Sequence, residues 1–145
     1  MAVVALALVA LVGCSSNTDG TSDGTSAETQ GEGGSDVAVT LDDYAIRPEA
    51  ATLSAGEVSF KIENVGATEH EMVVILSDID PATIPVEDHE IDEEASGMTP
   101  IGEVEDVQPG ASKDLVLTLE PGNYILVCNL PKHFERGMVT TITVA

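Results

Sequence analysis

Alternating apolar and polar residues form short runs along most of the chain, and turn residues separate these runs. In the run EVSFKIEN, Val58, Phe60 and Ile62 share one face while charged residues occupy the other, which is typical of a strand with one buried face. The run HEMVVIL, residues 70–76, is apolar on both faces, and it therefore predicts a strand that is buried on both sides.

The C-terminal runs show the same periodicity. Leu115, Leu117 and Leu119 alternate with polar residues, a Pro-Gly pair marks a turn, and two further strand-like runs complete the chain. No regular helix is indicated after the first dozen residues. We therefore expect an all-β fold, a β-sandwich of seven to eight strands over residues 37–145.

Residues 77–110 form a long acidic stretch between two of these strands. Because loops of this length without secondary structure are uncommon in compact domains, we expect a functional or family-specific insertion. The subsequence VEDHEIDEEA within it is compatible with one helical turn. His89, which lies there among acidic residues, is expected to be a solvated loop residue.

The first residues predict export and membrane attachment. An apolar run from Ala2 to Val12 is too short to span a bilayer but has the length of a signal-peptide core. The sequence LVGC resembles a bacterial lipobox, which implies a signal peptide over residues 1–13 and a lipid on Cys14. Residues 14–36 are rich in Ser, Thr, Gly and acids and predict a flexible linker. We therefore expect a lipid-anchored protein on the extracytoplasmic side of the cell membrane.

The net charge of −21 comes from 26 acidic residues against five basic ones. Nucleic acid is not expected as a partner, because binding it requires a basic surface that neutralises phosphates. The charge indicates good solubility and does not identify the fold.

The candidate chemistry lies in the sequence YILVCNLPKHFERGM, where Cys128, His133 and Met138 follow a C-x4-H-x4-M pattern. A thiolate, an imidazole and a weakly bound thioether are most of the donor set of a blue-copper site, which needs one more histidine. His70, at the start of the buried strand HEMVVIL, is the candidate for that position. Zinc is disfavoured because methionine is a poor zinc ligand.

This segment resembles the ligand loop of the cupredoxin family, the type 1 blue copper proteins, particularly auracyanin-, rusticyanin- and sulfocyanin-like members. The resemblance extends over residues 37–145 in strand order. It implies an eight-stranded Greek-key sandwich, one type 1 copper bound by His70, Cys128, His133 and Met138, and transfer of single electrons between redox protein partners.

Two positions differ from the pattern common in this family. Glu71 stands where many relatives carry Asn or Ser, and an ionised carboxylate cannot donate a hydrogen bond toward the cysteine sulfur. Lys132 precedes His133, where relatives often have glycine. With Arg136, it places two of the five basic residues beside His133 and suggests a surface for docking an acidic partner.

Three functions stay open at this point: an electron carrier, a copper-handling protein that buffers or delivers the metal, and a metal-free structural module. The complete donor set favours the electron carrier. An enzyme is not expected, because only three histidines are present and a trinuclear copper cluster could not be built within one chain. We also expect a monomer.

Overall fold

The computed structural model describes residues 34–145, so the predicted signal peptide, Cys14 and nearly all of the predicted linker lie outside the described residues. The strands are β1 (Ser35–Asp42), β2 (Ala45–Pro48), β3 (Thr52–Leu53), β4 (Gly56–Asn64), β5 (His70–Leu76), β6 (Val86–Glu87), β7 (Glu90–Ile91), β8 (Thr99–Val107), β9 (Ser112–Leu119), β10 (Gly122–Val127) and β11 (Val139–Val144). Two 3-10 helices span Pro81–Thr83 and Phe134–Arg136. Within residues 34–145, no helix has the length and apolar character needed to cross a membrane.

The strands form two main sheets. One has the order β2-β1-β4-β9, and the other has the order β3-β11-β10-β5-β8. β1 and β4 are parallel, whereas β10 is antiparallel to both of its neighbours, β5 and β11. The chain passes repeatedly from one sheet to the other, as in a Greek-key sandwich. The predicted all-β fold class is confirmed.

The space between the two sheets is filled by the inward faces of their strands. Val58, Phe60 and Ile62 of β4 belong to the same buried cluster as Met72 and Val74 of β5. The alternation seen in the sequence of β4 therefore places one of its faces in the core, as predicted.

The outer face of the five-stranded sheet is also buried, because the segment between β5 and β8 covers it. We call residues 79–98 the hairpin segment, since β6 and β7 pair within it. Its Ile84, Ile91 and Met98 pack against Val73 of β5 in a second buried cluster. This cover explains why the sequence of β5 is apolar on both faces.

The helical turn predicted for the acidic stretch was wrong, and a strand within the stretch was missed. VEDHEIDEEA contains the β6–β7 hairpin, with Val86 opposite Ile91, and it forms no helical turn. Residues 99–107 form strand β8, which pairs with β5 at the edge of the sheet. Most side chains of β8 are exposed or only partly buried, and charged edge strands resist pairing with other molecules. Such a strand lacks the apolar alternation by which strands are recognised.

Candidate metal centre

Strand pairing brings the predicted ligands to one end of the five-stranded sheet. His70 opens β5, and Cys128 directly follows β10. The two strands are antiparallel, with Val73 opposite Val127, so the start of β5 lies beside the end of β10. His133 comes from the loop that follows β10. The candidate ligand atoms of His70, Cys128 and His133 all lie within 4.8 Å of one another.

Two distances describe the arrangement of the donor atoms. The Nδ1 atom of His133 lies 3.3 Å from the sulfur of Cys128 and 3.3 Å from the Nδ1 atom of His70. His70 and Cys128 are completely buried, whereas His133 is partly exposed. The donor atoms therefore face a shared interior position, and the His133 side of the cluster reaches the surface.

Met138, the fourth predicted ligand, is also completely buried and directly precedes β11. The Cys128 N–H donates to the Met138 carbonyl at 3.1 Å, and the Met138 N–H donates to the His133 carbonyl at 3.1 Å. Gly137 has a φ of +94°, a conformation that favours glycine. The C-x4-H-x4-M spacing thus corresponds to one closed loop, which we call the ligand loop (residues 129–137).

Burial is the main cause of the pKa shifts of Cys128 and His133, whose donor atoms lie 3.3 Å apart. Burial raises the pKa of the Cys128 thiol to about 11, although backbone hydrogen bonds from Glu71 and Leu130 oppose this shift. The pKa of His133 is lowered, first by burial and then by His70 and Arg136. Near neutral pH the thiol therefore keeps its proton, which a metal ion would have to displace.

Asp43 holds His70 from outside the cluster. Its carboxylate lies 2.9 Å from the Nε2 atom of His70, and it accepts hydrogen bonds from the Ala67 N–H at 2.9 Å and the Thr68 hydroxyl at 2.8 Å. The Ala67 hydrogen bond is the main cause that lowers the pKa of Asp43 to about 2. The ionised carboxylate favours the tautomer with hydrogen on Nε2, which leaves the Nδ1 lone pair directed at the cluster.

Gly66 makes this approach possible. A Cβ atom at this position would lie 2.5 Å from the Oδ1 atom of Asp43 and 3.0 Å from the Nε2 atom of His70. Sequence reasoning missed Asp43, because it lies 27 residues before its imidazole partner and no local motif connects the two.

Tyr44 and Arg136 cover the exposed side of His133. The ring of Tyr44 lies edge-on to that of His133, with centroids 4.8 Å apart. The guanidinium of Arg136 lies 4.5 Å above the centre of the Tyr44 ring, and its Nη1 donates to the tyrosine hydroxyl. The guanidinium of Arg136 thus interacts with Tyr44 of the same protein, and the side chain of Lys132 is exposed. Their predicted docking role stays a prediction.

Glu71 is not the freely ionised side chain that the sequence suggested. Its carboxylate accepts a hydrogen bond of 2.8 Å from the Asn129 N–H. Burial is the main cause that raises its pKa to about 7, and the charges of Glu93, Glu103 and Glu105 add to the shift. Protonated and ionised forms therefore coexist near neutral pH.

His89 lies outside the metal cluster. Its side chain is exposed, as predicted, and its Nδ1 atom lies 2.8 Å from the Glu135 carboxylate. Among the described residues, the group that could hold a metal through histidine, cysteine or carboxylate atoms is formed by His70, Cys128 and His133.

A family model described as a cupredoxin-like domain matches residues 3–141. The chain belongs to the cupredoxin family. The resemblance inferred from the ligand loop is therefore confirmed. No curated protein sequence matches this cupredoxin.

Solved structures show the same fold. Reduced auracyanin from the photosynthetic bacterium Roseiflexus castenholzii is 22% identical, with 78% of this chain and 99% of that chain covered and a TM-score of 0.58. Auracyanin A from Chloroflexus aurantiacus, described as a "blue" copper protein, is 17% identical over 78% of this chain and 100% of that chain, with a TM-score of 0.54. Rusticyanin from Thiobacillus ferrooxidans is 18% identical, with 78% of this chain and 79% of that chain covered and a TM-score of 0.55.

The side chains in this cupredoxin fit a copper ion. One thiol, two imidazoles and a buried thioether are the donors that type 1 copper sites use. His70, Cys128, His133 and Met138 therefore form a possible site for one type 1 copper ion, the cofactor of the family. The assignment of each side chain as a ligand stays a prediction.

Replacing Asp43 with Asn should weaken copper binding. Asn keeps the shape of the side chain but removes the charge that favours hydrogen on Nε2 of His70, and loss of such a partner lowers metal affinity roughly 10- to 100-fold. Competition between the apoprotein and a chelator for Cu(II) measures this change. Asp42→Asn is the matched control, because the Asp42 carboxylate bonds Arg47 at 3.0 Å. Equal affinities for the two variants would contradict a role for Asp43.

Proposed function

We propose that this cupredoxin is a mononuclear type 1 copper protein that transfers single electrons between redox partners. The convergence of His70, Cys128 and His133 beside the buried Met138 carries this proposal. A bound copper ion would alternate between Cu(II) and Cu(I) and so carry one electron.

The protein contributes a largely buried donor set that is anchored by backbone hydrogen bonds. His70 and Cys128 are attached to the ends of paired strands, and backbone hydrogen bonds close the ligand loop between Cys128 and Met138. A donor set held in this way changes little between oxidation states, which favours rapid transfer. Tyr44 packs against His133, the ligand candidate closest to solvent, so electrons would cross at this side.

Burial also favours electron transfer over copper handling. A protein that delivers copper needs donors from which the metal exchanges readily, whereas Cys128, His70 and Met138 are completely buried. The alternatives are copper handling and a metal-free module. Addition of Cu(II) distinguishes them from an electron carrier.

Addition of Cu(II) to the purified apoprotein should produce an intense blue or green colour that survives a weak chelator. Cys128→Ser should abolish the colour, because the thiolate is its source, whereas His89→Ala should retain it. Visible absorption and bound copper per chain are the measurements. A colourless, readily stripped site would favour copper handling, and the absence of bound copper would favour a metal-free module.

The affinity for Cu(II) should also rise with pH. Because the pKa of Cys128 is about 11, the free thiol is protonated below that value and must release one proton when the metal binds. Release of this one proton should therefore increase the apparent affinity for Cu(II) about tenfold per pH unit between pH 6 and 8. A constant affinity over that range would indicate that Cys128 does not bind the metal as a thiolate.

The partner surface is proposed to surround His133. Lys132 is exposed next to this residue, and Arg136 lies over the adjacent Tyr44 ring. On a protein with a net charge of −21, these two side chains place positive charge beside His133. An acidic redox partner would be oriented by it.

Lys132→Ala should slow electron transfer to the anion hexacyanoferrate(III) by roughly two- to fivefold at low salt, because one attractive charge is removed. Stopped-flow rates at several ionic strengths measure the effect, which should shrink as salt is added. Lys61→Ala on the other sheet is the control, since Lys61 pairs with Asp114 at 2.9 Å. If both variants reacted at the wild-type rate, Lys132 would have no role in docking.

A lipid on Cys14 is proposed to attach the protein to the extracytoplasmic side of the cell membrane. The support is the LVGC sequence after an apolar run, followed by the Ser-, Thr- and Gly-rich linker. The linker would let the copper domain reorient between a donor and an acceptor near the membrane.

Expression in a bacterium that processes lipoproteins should yield a membrane-bound protein whose mature chain begins at acylated Cys14. Cys14→Ser should move the protein to the soluble fraction while its copper colour is unchanged. Cell fractionation and intact-mass spectrometry provide the test. A wild-type protein of unmodified mass in the soluble fraction would refute the anchor.

A further inference from the structure

The hairpin segment (residues 79–98) does more than cover the sheet, because it also contacts the ligand loop. Its apolar residues Ile84 and Ile91 belong to a buried cluster against which Phe134, inside the ligand loop, is packed. Polar contacts join the same two segments at three positions of the loop. The hairpin segment and the ligand loop are thus connected both by packing and by hydrogen bonds.

Asn129, the first residue of the ligand loop, makes the densest of these contacts. Its side-chain Oδ1 accepts from the Ile91 N–H at 2.7 Å, and its Nδ2 donates to the Ile91 carbonyl at 3.0 Å. Nδ2 also donates to the Glu93 carboxylate at 2.8 Å. The amide therefore pairs with the backbone of β7 as a neighbouring strand would, immediately after Cys128.

A second set of contacts lies further along the loop. The Lys132 N–H donates to the His89 carbonyl at 3.0 Å, and the His89 ring lies 2.8 Å from the Glu135 carboxylate. His89 and Lys132 both have positive φ, 76° and 71° respectively. The turn of the β6–β7 hairpin thus meets the ligand loop directly before His133.

These contacts supply what the sandwich itself does not. The ligand loop begins where β10 ends, so its backbone groups have no neighbouring strand with which to pair. Polar backbone groups require partners. The His89 carbonyl of the hairpin segment accepts from the Lys132 N–H, and the Asn129 side chain in turn satisfies the N–H and the carbonyl of Ile91.

We propose that the hairpin segment holds the ligand loop in its metal-binding geometry before the metal arrives, with Asn129 as the positioning residue. This inference deepens the proposed copper function, because a preformed loop would keep the donor set similar in the free and loaded protein. It gives the acidic stretch a role that its length alone does not reveal.

Asn129→Ala in the full-length protein tests the proposal. The variant removes three hydrogen bonds of the side chain, and loss of even one net bond should accelerate amide hydrogen exchange in residues 129–137 of the apoprotein roughly tenfold. Asn123→Ala is the matched control. Asn123 also bonds two side chains, Asp78 and Thr143, but it lies at the opposite end of β10.

The copper-loaded protein gives a second readout. Asn129→Ala should change the intensity ratio of the visible thiolate-to-copper bands and speed the loss of copper to a chelator, whereas Asn123→Ala should change neither. A swapped pair, Asn129→Asp with Glu93→Gln, exchanges the amide and the carboxylate. It should restore part of the exchange protection that Asn129→Asp alone loses.

Three results would overturn the proposal: loop exchange equal to that of Asn123→Ala, acceleration spread uniformly over all strands, or no rescue by the swapped pair. Because hydrogen exchange is measured without metal, it decides the positioning role even if the wild-type protein binds no copper. The absence of copper in the wild type would instead refute the proposed function.

Discussion

The antiparallel pairing of β5 with β10 is the constraint on which the rest of this structure depends. It places the start of one strand beside the end of the other, and so brings His70 next to Cys128 although 58 residues separate them in the sequence. Both strands are central and buried on both faces. Each face therefore needs an apolar cover, which the four-stranded sheet supplies on one side and the hairpin segment on the other.

Ionisable side chains surround the cluster of His70, Cys128 and His133. The ionised Asp43 lies behind His70, the cationic Arg136 lies over Tyr44, and the carboxyl of Glu71 bonds the backbone that follows Cys128. Of these groups, Asp43 contacts a donor side chain directly, on the Nε2 side of His70, and leaves its Nδ1 atom free. Residues outside the candidate ligands would therefore influence how tightly a metal is held.

The regular strands and the ligand loop were predictable from the sequence because both have local signals. Apolar alternation identified β4 and β9, and C-x4-H-x4-M spacing identified the ligand loop. The edge strand β8 was missed because its acidic side chains mask the alternation. Asp43 and Asn129 were missed because their partners lie 27 and 38 residues away in the sequence, and no local pattern encodes such contacts.

The sequence by itself determined the fold class, the donor types and the order in which they occur, since periodicity and spacing are properties of neighbouring residues. Only the tertiary structure decided that an acidic stretch contributes an apolar cover and a hairpin against the ligand loop. It also decided the protonation of Cys128, Glu71 and Asp43, because a pKa depends on burial and on hydrogen-bond partners. Those surroundings exist only after distant strands have packed together.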